Sequence, residues 1–251
     1  MPVVDTDIVV YGSANMQETD TGTQGGARDA ATLIVFAELI GGNTTITVVS
    51  DNAGDTTQTL TVTGRIADGS ITSDIISLNG VTPAVGAVTF ERVLKMVLSA
   101  SASGTVTVTE TTGAETIVAM PTGVTTVRRP FYDVSADVAG GSARTYYEKI
   151  FFENSNAVSA LTNATISEQG GTVASNIDFA LEATLDGSDT ATNRVSAPAA
   201  GYTFDSNTKN VANSQNHSPQ TAQGVWLRLS LAAGTAAANG NYQLRESGQT
   251  V

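Results

Sequence analysis

The sequence predicts an all-β protein of two β-sandwich units, immunoglobulin-like or jelly-roll-like, with an extended N-terminal arm. Three observations lead there. Residues 60–109 string together short Thr-, Val- and Ile-rich runs separated by Gly, Asn and Pro. The runs TLTVT and TVTVT, the second at residues 105–109, alternate apolar side chains with threonines, the period-2 signature of a half-buried strand. Further on, Ile177, Phe179, Leu181, Ala183 and Leu185 alternate with Asp178, Ala180, Glu182 and Thr184, which predicts an inward face carrying Phe179 and an outward one carrying Glu182.

Taken in order, residues 1–30 offer one strand at 7–11 and then GSANMQETDTGTQGGARD, which cannot bury enough apolar area to fold alone and reads as an arm. Such an arm is expected to be mobile in the free protein and ordered against a neighbour. Residues 31–120 make the first sandwich, with strands at 33–40, 45–50, 58–66, 71–78 and 89–99. Within the last of these, Phe90, Val93, Leu94, Val97 and Leu98 also fit a helical face, but Val88 and Thr89 cap a helix poorly, so a strand is preferred. Residues 121–143 read as a linker because they hold Pro121, Pro130 and Gly140–Gly141. Residues 144–251 make the second sandwich, with strands at 144–155, 159–167, 175–185, 224–231 and 240–247. In 224–231, Val225, Leu227, Leu229 and Leu231 share one face, and Trp226 and Arg228 the other.

Composition narrows the function. At 251 residues the chain has enough interior to fold without staples, and having no cysteine it has no disulfide framework, thiol chemistry or Cys-based zinc site. Acids outnumber bases 24 to 12, giving a net charge of −12 and a pI near 4.3, a surface that repels phosphate and argues against nucleic acid as a partner. No apolar run is long enough for a signal peptide or a membrane span, so no membrane partner is expected, and the Asn43, Asn163 and Asn216 triplets read as chance rather than glycosylation sites.

The chemistry-bearing residues are sparse. His217, the single histidine, lies in the polar loop SNTKNVANSQNHSPQT with no G-x-S-x-G motif in the chain, and reads as a solvated loop residue rather than a general base. The acidic turns Asp51-Asn52-Ala53-Gly54-Asp55 and Asp186-Gly187-Ser188-Asp189 lack the length and terminal Glu of an EF-hand and read as turns rather than calcium sites. Nothing calls for a cofactor. Residues 196–223 form a connection longer than a sandwich needs, and there Tyr202 and Phe204, rimmed by Asn207 and with His217 nearby in sequence, are the candidate recognition surface. The alternative is that both rings fold down onto the sandwich.

The run from residue 60 to 109, the opening IVVYGSANM and the later GVWLRLSLAAGTAAANGNYQL resemble β-sandwich modules of structural proteins in tailed-bacteriophage virions. The resemblance implies a non-enzymatic virion component, assembled in the host cytoplasm, whose partners are copies of itself and other virion structural proteins. A tail-tip or baseplate position that mediates subunit contacts is preferred, with capsid decoration as the alternative. A reading from another class is a carbohydrate-binding or carbohydrate-cleaving adhesion protein that meets a host surface glycan.

Overall fold

A computed structural model describes residues 2–34, 38–39, 42–134, 142–169, 176–199, 201–234 and 242–250. The strands in chain order are β1 (Ile8–Asn15), β2 (Gln24–Leu33), β3 (Ile46–Ser50), β4 (Thr59–Arg65), β5 (Ile71–Ser77), β6 (Ala84–Val85), β7 (Arg92–Leu98), β8 (Val106–Glu110) and β9 (Thr116–Met120). They continue with β10 (Thr126–Arg128), β11 (Arg144–Asn154), β12 (Leu161–Glu168), β13 (Ile177–Leu185), β14 (Thr190–Ala191), β15 (Lys209–Asn210), β16 (Thr221–Leu231) and β17 (Leu244–Thr250). A single helical turn, α1 (Ala212–Gln215), lies between β15 and β16. The protein is therefore mostly β, in antiparallel and mixed sheets, and none of them closes into a barrel among the described residues.

The chain divides into two compact units, one made of residues 1–29 and 131–251 and the other of residues 30–130. The division falls inside β2, after Asp29.

In the unit of residues 30–130, β10, β7, β4 and β5 are consecutive neighbours, and the end of β2 pairs in parallel with β10 through Thr32 and Thr126. A second sheet has the order β6-β3-β8-β9. Strands β3, β4 and β8 each bury alternate residues, so Ile46, Val48, Leu60, Val62, Val106 and Val108 lose nearly all contact with water while their threonine neighbours keep it. The run at 90–98 is a strand from Arg92, as preferred, because its hydrogen bonds go to β4 and β10. Residues 35–37 and 40 of the expected strand at 33–40 lie outside the described residues; Leu33 ends β2.

The acidic turn after β3 is a knot of hydrogen bonds. Asp55 is buried and accepts from Ser50 Oγ at 2.7 Å, Ser103 N at 2.9 Å and Gly104 N at 3.0 Å, so its carboxylate holds two loops together. The Ser50 hydroxyl first, then the two amides, pull its pKa below the usual carboxylate value. A carboxyl whose folded pKa is depressed contributes stability that is present above its unfolded pKa and lost as pH falls through the folded one. Asp55→Asn is therefore expected to lower the melting temperature at about pH 7, with the gap to the parent protein closing by about pH 2, as read by thermal melts across that range. A gap that does not change with pH would refute this account.

In the other unit the order is β13-β16-β11-β1-β2, β14 pairs with the start of β2, and a separate sheet runs β15-β12-β17. The pairing of β11 with β16 covers eleven residues on each strand, from Arg144 opposite Leu231 to Asn154 opposite Thr221. Both faces of these two strands are covered: Tyr146, Lys149, Phe151, Val225 and Trp226 are all fully buried. Period-2 alternation is blurred where a sheet is covered on both sides, because neither face needs to be polar.

Three expectations change here. The segment read as an arm is folded, with β1 set between β11 and β2 and residues 24–30 inside β2 itself; Gly12, Gly25 and Gly26 are held by strand pairing rather than by a core of their own, and Thr19, Thr21 and Thr23 lie in the turn that joins the two strands. The segment read as a linker contains β10, bracketed by Pro121 and Pro130, which stand outside the paired residues where proline costs no ladder bond. The outward face of β13 is not outward: Glu182 is 3% exposed, while Ala183, on the face expected to be inward, is exposed. The cause is a register break between Leu181 and Leu185, together with a buried cation that meets Glu182.

Asn213, Ser214 and Gln215 in α1 have φ of 57°, 56° and 64°, so the turn is left-handed. Each such non-glycine residue costs about 1–2 kcal/mol, and anchors on both sides hold the turn. Ala212 N donates to the buried Gln223 Oε1 at 2.8 Å, and Val211 N to Ala164 O at 3.0 Å.

Candidate functional site

The register of β13, β16 and β11 places three rows of residues across one face: Asp178, Arg228 and Tyr147; Ala180, Trp226 and Lys149; then Glu182 near Gly224 and Phe151. The first row lies toward solvent, where Arg228 and Asp178 form an ion pair. The other two are closed over.

Lys149 lies at the centre. Its Nζ donates to Glu182 Oε1 at 2.6 Å and reaches the carbonyls of Gly26 at 2.8 Å, Gly187 at 3.1 Å and Asp189 at 3.3 Å. Phe151 and Trp226 flank it, with ring centroids at 4.6 Å and 5.8 Å. Burial pushes the ammonium pKa down and the Glu182 carboxyl up, and the pairing of the two opposes both shifts. Two glycines make room for the cluster. A Cβ on Gly25 would lie 2.6 Å from Trp226 Cη2, and one on Gly224 would run into the Glu182 carboxylate.

The candidate aromatic pair forms the lid of this face. Tyr202 packs edge-on against Trp226 at 6.3 Å and its hydroxyl donates to Asp189 Oδ2 at 2.5 Å. Burial and that carboxylate raise the phenol's pKa. Phe204 meets Tyr147 edge-on at 5.5 Å, with the Arg228 guanidinium 5.1 Å from its ring centre. Both rings are half-buried, folded down onto the sheet. Asn207 is exposed, in a turn whose Asp205 accepts from Asn207 N at 2.9 Å and Lys209 Nζ at 2.6 Å.

His217 is not with them. It is fully buried rather than solvated, since its backbone bridges to Leu161 of β12, and β17 brings Glu246 against the ring. Its Nε2 lies 2.9 Å from the Thr221 carbonyl, which can only accept, so Nε2 is the donor there, and Nδ1 lies 2.5 Å from Glu246 Oε1. Both ring nitrogens are thus committed within the fold.

The opposite face of β11 carries another sealed charge. Arg194, with no exposure, donates to both Asp133 oxygens at 2.6 Å, to Glu148 Oε1 at 3.0 Å and to the Glu18 carbonyl at 3.0 Å. Glu148 also accepts from Phe131 N at 3.2 Å. Burial works against the guanidinium's charge, but the two carboxylates outweigh it and its pKa rises.

Comparison with family models, curated proteins and solved structures finds no match.

Sequence reasoning placed Glu182 on an outward face and missed Lys149, Glu148, Arg194 and Glu246 altogether. The one usable signal was in β11, where Tyr147, Lys149 and Phe151 share a face at alternate positions, so a lysine sits between two aromatic side chains.

Proposed function

We propose that this protein is a non-enzymatic structural component of a tailed-phage virion, associated with the tail tip or baseplate, acting through surfaces that contact its own copies and other virion proteins. In this reading each unit is a β-sandwich. The observation that carries it is the fate of the reactive side chains: His217, Lys149, Glu182, Glu148 and Arg194 are buried, and each is held by another of these groups, by a neighbouring carboxylate or by the backbone, although Glu182 Oε2 and Arg194 Nε meet no hydrogen-bond partner among the described residues. A protein selected to be packed and touched spends its ionisable groups on holding its own strands together. The resemblance of residues 60–109 to virion β-sandwich modules supports the virion setting, and the two-unit layout with its long connection at 196–223 favours the tail tip or baseplate within it.

The test is an antibody or gold label against the protein on intact particles, viewed by electron microscopy. Label at one end of the tail supports the preferred position, and label over the head supports capsid decoration. Particles without label would refute both. The net charge of −12 adds an expected result: no measurable retention of duplex DNA in a gel shift at moderate salt. Tight, salt-sensitive binding would overturn that expectation. The half-buried Tyr202 and Phe204 keep a glycan-adhesion reading in view, and binding to a glycan array that is lost in Phe204→Ala would favour it.

A further inference from the structure

Strand β5 ends its sheet, and its seven residues pair with β4 without a break in register. Leu78 N bonds Gln58 O, and Ile66 N bonds Ser70 O, which fixes the even-numbered residues of β5 as those whose backbone groups face β4. The N–H and C=O groups of Ile71, Ser73, Ile75 and Ser77 therefore point away from the sheet, and among the described residues they meet no partner.

Long free edges are usually blunted by proline, lysine, a bulge or a cover. Here β5 has none of the first three. The other long edges are treated differently. Asp205 bridges the free side of β13 through Phe179, at 3.3 Å and 3.4 Å; β9 and β17 each pair through a bulge, and β17 carries Arg245 and Glu246. The four outward-edge residues of β5 are all exposed and uncharged on a protein of net charge −12, and two of them are isoleucines, 46% and 68% exposed.

We infer that β5 pairs antiparallel with β5 of a second copy of this chain, about a two-fold axis through Ser73. The sequence of the edge selects that occupant and that register. In it Ile71 lies opposite Ile75 of the partner subunit, Ser73 opposite Ser73 of the partner subunit, and Asp74 beside a threonine. All outward backbone groups from Ile71 to Ile75 are satisfied, and four isoleucines meet in cross-strand pairs along one apolar ridge. Centring the axis on Asp74 instead would set two carboxylates against each other. The Ile71 and Ile75 spacing is self-complementary about Ser73, and a partner rich in acid or base would find on this edge only Asp74, whose carboxylate is already held by the Ala87 and Val88 amides. The inference deepens the self-contact part of the proposed function, but rests on the strand edge alone. Its test uses free protein, so failure leaves the particle labelling unaffected.

The chain's lack of cysteine makes the test direct. In the proposed register the two Ser73 Cα atoms stand about 5.5 Å apart, within disulfide range, whereas Ser77 falls opposite Gly69, outside the strand. Under mild oxidation Ser73→Cys is expected to give a disulfide dimer on a non-reducing gel and Ser77→Cys to stay monomeric. Light scattering should find the parent protein dimeric, and the doubly changed Ile71→Lys, Ile75→Lys protein dissociating at least about tenfold more readily with an unchanged melting profile of its monomer. Parent protein that remains monomeric at about 100 μM, cross-linking as fast through residue 77 as through 73, or a lysine variant that dimerises unchanged would each overturn it.

Discussion

Glu182→Leu is expected to destabilise the unit of residues 1–29 and 131–251 by about 3–5 kcal/mol, because it leaves the Lys149 ammonium buried without its carboxylate. The size is set by stranding a charge, not by losing an attraction. Replacing both partners, Lys149→Met with Glu182→Leu, should therefore recover most of the loss. A pH signature separates this from simple misfit. A lysine whose folded pKa is depressed binds fewer protons folded than unfolded between the depressed and ordinary values, so stability rises with pH through that window. With Glu182 gone the depression deepens, and the single variant should regain ground on the parent as pH rises from about 7 toward about 10. Urea unfolding followed by the fluorescence of Trp226, the only tryptophan, reads all three proteins. A loss below about 0.5 kcal/mol would mean the cluster is not sealed as described.

Phe179→Ala is expected to cost a further about 3–5 kcal/mol in its own right. The ring has no exposure, Lys209 Nζ lies 5.2 Å from its centre, and its backbone carries the bridge to Asp205. Ala183→Ser, four residues on and exposed, should change stability by less than about 0.5 kcal/mol. Equal effects at the two positions would refute the register break between Leu181 and Leu185.

Alternation in the sequence located β4 and β8 because a strand with one wet face writes its burial into every second residue. In β13 and β16 the alternation marks a strand but not which side is wet, since their burial does not follow it. It misjudged Glu182 because Lys149 and the turn at Gly187 and Asp189 cover the face of β13 that carries it, and a glutamate that meets a buried lysine from another strand is indistinguishable in sequence from one that meets water. β2 was hidden for a related reason. Its Gly and Thr are tolerated where neighbouring strands already fix the backbone, and those neighbours come from far along the chain. Of the candidate residues, Tyr202 and Phe204 were found as a pair and share one sheet face; Asn207 stands on the surface; His217 is elsewhere, because a polar loop conceals that one of its residues is drawn between two strands. The acidic turn at Asp55 was legible as a turn, since the chemistry that satisfies its carboxylate is local.

The interruption of one unit by the other imposes an order on synthesis. Residues 30–130 emerge from the ribosome as one contiguous stretch and can complete their own core while the rest is still being made. The earlier strand β1 cannot: Ile8 waits for Asn154 and Gly12 for Ile150, and β11 in turn needs β16 to close its other side. Until β11 and β16 emerge, the nascent chain carries a leading strand with β2 on one side and a bare edge on the other, the condition in which strands exchange between neighbouring chains on a polysome. An excised 30–130 fragment should fold in isolation, whereas a fragment beginning at 131 would keep β11 but leave bare the edge that β1 normally occupies.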